Sequence, residues 1–139
     1  MTVSTPTETA IQMAFHNEVG LWGEQMACDY LVSQGYALME RNAKIHRIEI
    51  DIIACKADAI CFVEVKTRSS DETDPVYAVY DRKMKRMCRA ANDYINSHDL
   101  HLTPRIDIIT VIGDPLSGIR RIEHYPDCYL PTSVTAKIG

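Results

Sequence analysis

The sequence predicts a mixed α/β fold in the order α-β-β-β-α-β-β, and three observations carry that prediction. A long helical segment ends at Gly35. Three strand candidates then follow closely between residues 36 and 67, and an amphipathic segment after residue 79 separates them from two more strands.

The first helix is expected from about Asn17, a capping side chain, with Glu18 at the positive end of the helix and Gly35 as its C-terminal stop. Gly20, Gly23, Glu24, Ala27 and Leu31 recur at three- and four-residue spacing, giving a face small enough to lie close against a sheet and carrying one carboxylate. The strands are expected over 36–41, 47–55 and 59–67, the last two joined by a turn at Lys56, Ala57 and Asp58. In the second helix, over 79–96, Tyr80, Met84, Met87, Cys88, Ala91 and Ile95 form one apolar stripe beneath a basic outer face. Residues 105–112 are β-branched and apolar, as a buried strand requires. Residues 119–125 form a final strand after the Asp-Pro and Ser-Gly turn signals at 114–118. The expected organisation is a loose N-terminal arm over 1–14, one domain over 15–130 and a frayed tail over 131–139.

Composition excludes several classes. The chain has 139 residues, 46% apolar and 24% charged, the balance of an ordinary globular domain. No apolar run is long enough to span a bilayer and no basic-then-apolar leader opens the chain, so no membrane association and a cytoplasmic location are expected. Cys28, Cys55, Cys61, Cys88 and Cys128 are widely spaced and odd in number, which reads as reduced, buried thiols. The five histidines have no zinc-ligand spacing. Net charge is −4, yet residues 1–40 contain no Lys or Arg while 41–89 hold 11 of the 15. The run Arg82, Lys83, Lys85, Arg86, Arg89 is either a phosphate-binding surface or a solvated helix face.

Two of the strands carry charge inside apolar runs. Asp51 lies in IEIDIIA, and Glu64 and Lys66 lie in ICFVEVKTR. Strand alternation puts Glu64 and Lys66 on one face, about 6.5–7 Å apart, with Asp51 on the neighbouring strand. Burying unpaired carboxylates costs several kcal/mol, so such acids pair with cations, bind a metal, or sit at a strand end. Two carboxylates and a lysine suit Mg²⁺-assisted phosphodiester cleavage, but the E-x-K triplet taken alone is read first as a plain ion pair at a sheet edge, since such triplets are common by chance. Glu24 is a third acid on the close-packing helix face. Glu49 is a further candidate, as ligand or salt-bridge partner.

With these pieces in view, the chain resembles the YraN family of small bacterial proteins. The resemblance runs from about Gly20 to Tyr125. It comprises G-x-x-G-E-x-x-A at 20–27, G-Y at 35–36, E-R-N at 40–42, E-I-D-I-I at 49–53 and F-V-E-V-K-T-R-S-S at 62–70. It continues with P-x-x-A-V at 75–79, Lys83, Ala90-Ala91 with Tyr94, and R-I-D at 105–107. The resemblance implies a restriction-endonuclease-like, three-layer core with a mixed sheet flanked by helices, related to Holliday-junction resolvases. It assigns Asp51, Glu64 and Glu24 to a Mg²⁺ or Mn²⁺ site with Lys66 as catalytic lysine, and it implies nucleic acid, DNA first, as partner. Arg68, Arg82, Lys83 and Arg86 are the expected phosphate contacts, Lys83 being early enough on its helix to turn toward the acids instead. A homodimer is expected on the ground that two-fold substrates suit two-fold proteins. Two departures bear on the substrate groove: Ile48 stands where the family has Gly before E-I-D, and Tyr77 where it has an acid, with Thr73-Asp74 replacing F-G. The implied activity is metal-dependent DNA hydrolysis. The alternatives are a nucleic-acid-binding module of the same fold without turnover and, with less support from the charged set, a scaffold protein.

Overall fold

The computed structural model describes residue 5 and residues 7–68 and 81–128. Its elements are helix α1 (Glu8–Ser33), strands β1 (Ala37–Ile45), β2 (Ile48–Lys56) and β3 (Ala59–Arg68), helix α2 (Asp81–Ser97), and strands β4 (Thr103–Asp114) and β5 (Gly118–Tyr125). The order is the expected α-β-β-β-α-β-β. Tyr80, the P-x-x-A-V piece, the departures at 73, 74 and 77, and the tail over 131–139 lie outside the described residues.

Helix α1 starts earlier than expected. Thr7 caps it, its side chain accepting from Ala10 N at 3.0 Å, so residues 8–14, read from sequence as part of an arm, form its first turns, and Asn17 is interior. Residues 8–18 are all exposed and therefore show no apolar period, which is why the pattern pointed to a later start. The other end behaves as read. Gly35 adopts φ 89°, Tyr36 N donates to Leu31 O and Gly35 N to Val32 O, the paired bonds of a Schellman stop.

The five strands lie side by side in sequence order. β1–β2, β2–β3 and β4–β5 are antiparallel, while β3 and β4 run parallel because α2 carries the chain back across the sheet. One face packs Ile53, Ile60, Phe62, Ile106 and Ile108 against Met84, Met87, Ala90, Ala91 and Tyr94 of α2. The other packs Ala54, Cys61, Val63, Ile109 and Val111 against Ala27, Cys28 and Leu31 of α1. Helix, sheet and helix form three layers. The α2 stripe predicted from sequence is the buried one, with Cys88 and Ile95 at its margin.

β1 is longer than expected. Its polar stretch ERNAK sits on an exposed edge strand, where no buried face imposes alternation. All five cysteines are free, but Cys128 is exposed, against the expectation that every thiol is buried. Among the described residues no helix is long and apolar enough to cross a membrane.

Candidate functional site

β3 is the central strand, with β2 on one side and β4 on the other, so its side chains are covered by both helices. The β2–β3 ladder runs from Lys56↔Ala59 to Ile52↔Val63. One step further the carboxylate of Asp51 replaces the ladder: its Oδ2 accepts from Val65 N at 2.8 Å. The face pattern of β2 also reverses there. Ile50 packs toward α2, whereas Ile52, two residues on, packs toward α1. Asp51 therefore sits where β2 and β3 part, an irregularity that regular alternation cannot anticipate.

Glu64 stands beside it and is only 4% exposed. Its Oε1 accepts from Lys83 Nζ of α2 at 2.5 Å, while its Oε2 is buried with no hydrogen-bond partner among the described residues. Burial, and then the negative charge of Glu64, push Asp51 up to about 7, against the lowering effect of the Val65 amide. Asp51 is thus poised to change charge near neutrality, a condition found more often at functional sites than in plain ion pairs.

Glu24 reaches the cluster from α1 because of its neighbour Gly23. A Cβ on Gly23 would lie 1.8 Å from Thr67 Oγ1, so only glycine lets the helix come this close to β3. Burial raises the Glu24 carboxyl, the charges of Glu49 and Glu64 add to that, and Arg41 and Asn42 oppose it. With its amide turned so that the nitrogen faces the acids, the orientation that satisfies both ends, Asn42 donates to Glu49 Oε1 at 2.9 Å and Glu24 Oε2 at 3.2 Å, tying the two outer acids together. Asn42 itself is left-handed, φ 51°, a conformation asparagine tolerates better than most residues. Gly20, grouped from sequence with the close-packing face, plays no such part, since a Cβ at that position would meet nothing within 4 Å.

Lys66 is half-buried on β3, two residues from Glu64 and opposite Thr110 of β4, whose Oγ1 is also buried without a partner among the described residues. Lys83 lies on Glu64, the inward turn that the sequence allowed as the alternative to a phosphate contact. It flanks the buried Met84–Met87 stripe, and the buried carboxylate lies within its reach. Arg82 and Arg86 are exposed on α2, and Arg68 ends β3 half-buried.

The donors are hard oxygens, the right chemistry for Mg²⁺ or Mn²⁺. No group of three or more His, Cys, Asp or Glu side chains among the described residues is arranged to hold a metal directly. Mg²⁺ does not need three, since it is commonly held by one or two carboxylates and keeps several waters. Asp51 and the unbonded Glu64 oxygen fit that demand.

A second buried polar group lies further back along the sheet, at the R-I-D piece to which the sequence reading gave no role. Asp107 on β4 is fully buried; Arg105 grips it through Nε at 2.8 Å and Nη2 at 2.7 Å, and His124 Nε2 lies 2.7 Å away. Tyr30 of α1 meets His124 Nδ1 at 3.1 Å, and Arg105 Nη2 donates to Tyr36 Oη at 2.6 Å. Every oxygen of Asp107 is satisfied, the pattern of a scaffold joint that fastens β5 and α1 to β4. In the sequence it showed as an Asp within an isoleucine-rich run and as part of the R-I-D piece of the resemblance.

A family model described as "Uncharacterised protein family UPF0102" matches residues 23–111, which spans Gly23, the acids and both lysines. The chain is 40% identical over 118 residues to a UPF0102 protein of Flavobacterium psychrophilum, covering 84% of this chain and 98% of that one. It is 42% identical over 120 residues to one of Bacteroides thetaiotaomicron, covering 86% and 98%. A third, from Chlorobaculum parvum, is 42% identical over 109 residues, covering 77% and 84%.

Proposed function

The chain belongs to the UPF0102 family, which is the YraN family, and from that premise and its acid site we propose that it is a metal-dependent endonuclease hydrolysing DNA phosphodiester bonds, branched or structured DNA in particular. The observation that carries this reading is the pairing of Asp51, pushed up to about 7, with a buried Glu64 oxygen that lacks a partner among the described residues. Two such carboxylates side by side cost stability, and a bound cation offsets that cost.

Asp51 and Glu64 would hold Mg²⁺ or Mn²⁺, with Glu24 reaching it through water. When bound, such an ion polarises the scissile phosphate and lowers the pKa of a bound water. Asp51 must give up its proton before it ligates, so occupancy rises with pH through the neutral range. Lys66, on the strand face it shares with Glu64, supplies positive charge where the phosphoryl oxygens become more negative, and it can orient the attacking water. The water oxygen would bond to phosphorus, giving up one proton to solvent, as the phosphorus–ester oxygen bond breaks and the departing oxygen takes one proton from solvent. The reading includes action in the cytoplasm and as a homodimer.

The test is cleavage of duplex, flap, four-way-junction and single-stranded DNA with Mg²⁺ or Mn²⁺, by the wild type and by Asp51→Ala. Metal-dependent cleavage lost in the variant supports the reading, and wild-type inactivity on every substrate counts against it. One observation favours a second reading, a nucleic-acid-binding protein of nuclease fold without turnover. The Lys83 ammonium already neutralises Glu64. In that case DNA binding persists, metal changes nothing, and Asp51→Ala binds like the wild type.

A further inference from the structure

The turn between β1 and β2 consists of His46 and Arg47, and both have positive φ, 50° and 66°. A two-residue hairpin turn of this kind matches strand twist, but its favoured occupants are Asn and Gly. Histidine tolerates this backbone better than most residues, so the strain falls mainly on Arg47, and strain of this sort concentrates where a segment serves a function. The turn faces α2 across a cavity of about 500 Å³ lined by His46, Arg47, Ile48, Arg86, Arg89 and Asp93, with Ala90 at its base. Three guanidinium groups thus gather around one cavity in a chain of net charge −4.

Among the described residues those charges are not neutralised internally. Asp93 is the one acid lining the cavity, and its Oδ2 is engaged by His46 Nε2 at 2.6 Å. Among the described residues, Arg47, Arg86 and Arg89 have no carboxylate partner within ion-pair distance. Arginines that line one cavity with no carboxylate at ion-pair distance among the described residues suit phosphate, which a guanidinium can grip through two parallel hydrogen bonds.

Two elements, β2 and α2, run from the cavity to the acid site. On β2, Ile48 lines the cavity and Asp51 follows three residues later, about 10 Å along the strand. On α2, Lys83 at Glu64 and Arg86 and Ala90 at the cavity follow at three- and four-residue spacing, hence on one side of the helix. That separation is short enough for one nucleic-acid strand to touch both places.

We propose that the cavity between the His46-Arg47 turn and α2 seats the phosphodiester backbone of a nucleic-acid strand, with Arg47, Arg86 and Arg89 holding phosphates of the strand that passes the acids. This rests on the nucleic-acid reading above and adds where the strand lies. The strained turn then exists to present Arg47 to the strand, with the His46–Asp93 contact setting its position.

The test measures binding of fluorescent single-stranded and duplex DNA by anisotropy in EDTA across a salt series, which separates binding from hydrolysis. The combined Arg47→Ala, Arg86→Ala and Arg89→Ala variant should lose affinity on the order of 100-fold at moderate salt, and its logarithmic salt slope should shrink by about 2–3. The three corresponding Lys substitutions should keep the slope. His46→Asn with Arg47→Gly should raise the melting temperature by roughly 4–8 °C, as strain is relieved, while weakening binding. These side chains are exposed, so the variants should fold, and thermal melting checks that they do. Unchanged affinity and slope in the Ala variant overturn the proposal even if the wild type cleaves DNA in an Asp51-dependent way. Failure of the wild type to bind or cleave any nucleic acid overturns the proposal and the nuclease reading together.

Discussion

Lys83 of α2 holds its ammonium 2.5 Å from Oε1 of Glu64 on β3, so the most buried acid of the site already has a cation beside it. The pair is unequal, the Lys83 side chain being 40% exposed and that of Glu64 6%. Lys83 can therefore swing into water, whereas Glu64 cannot leave.

Replacing Lys83 with Met keeps the aliphatic stem over the core but removes the charge that Glu64 faces. In chelator this variant should lose about 1–3 kcal/mol of unfolding free energy, less than for a fully buried pair because Lys83 is partly solvated. If Glu64 is a metal ligand, Mn²⁺ should restore stability more in Lys83→Met than in the wild type, since it replaces the missing cation. Denaturant unfolding with EDTA and with Mn²⁺ measures both, and equal Mn²⁺ responses would remove Glu64 from the proposed site.

Asp51 gives a pH test. Its folded pKa, about 7, lies above the ordinary unfolded value near 4, so the folded state binds more protons than the unfolded one between those limits. The associated stability is fully present below about pH 4 and is lost as pH rises to about 7, a change on the order of 4 kcal/mol at most. In chelator, Asp51→Asn should lack this loss and exceed the wild type in stability above pH 7. Urea titrations at pH 5 and pH 8 decide it, and parallel losses in both proteins would assign the pH dependence to other groups.

Gly23 and Gly20 are one turn apart on α1 and should respond oppositely to alanine. Gly23→Ala drives a methyl group into Thr67 and should cost about 1–3 kcal/mol or more, shifting Glu24 as the helix moves away. Gly20→Ala meets nothing and should stabilise by about 0.5–1 kcal/mol through helix propensity. Thr67→Ala should recover part of the Gly23→Ala loss, and a double-mutant cycle by thermal denaturation measures that coupling. Simple additivity of the two would refute the contact.

Asp107 should behave as a joint of the scaffold. Burial alone would raise its carboxyl, but hydrogen bonds from His124 and Arg105 outweigh it and hold the group below the usual carboxylate range. Its stabilisation is thus present above about pH 4, the unfolded value, and lost as pH falls through the lower folded value. Asp107→Asn should cost about 3 kcal/mol or more at pH 7, leaving Arg105 without its counter-charge, and the gap from wild type should narrow in acid. A constant gap from pH 7 to pH 3 would argue that the pair contributes shape rather than charge.

The pattern of side chains along the chain was enough for most of the architecture. Alternation with β-branched residues marked β2, β3 and β4, the 3.6-residue stripe marked α2, and Gly35 marked the end of α1. Each of these signals arises within one element from how its own residues divide between core and water. Asp51, Glu64 and Lys66 stood out for the same reason, as charges inside runs that burial makes apolar. Where nothing is buried the signal fades, so the solvent-exposed first turns of α1 and the polar edge strand β1 were read short. The partners of the charges were a different matter. Lys83 and Glu64 are 19 residues apart, Arg47 and Arg89 lie on different elements around one cavity, and Arg105 meets Tyr36 across 69 residues. Those pairings depend on the layer order and on how closely α1 and α2 pack on the sheet, and distances of a few ångströms between remote segments leave no local pattern for a sequence to display.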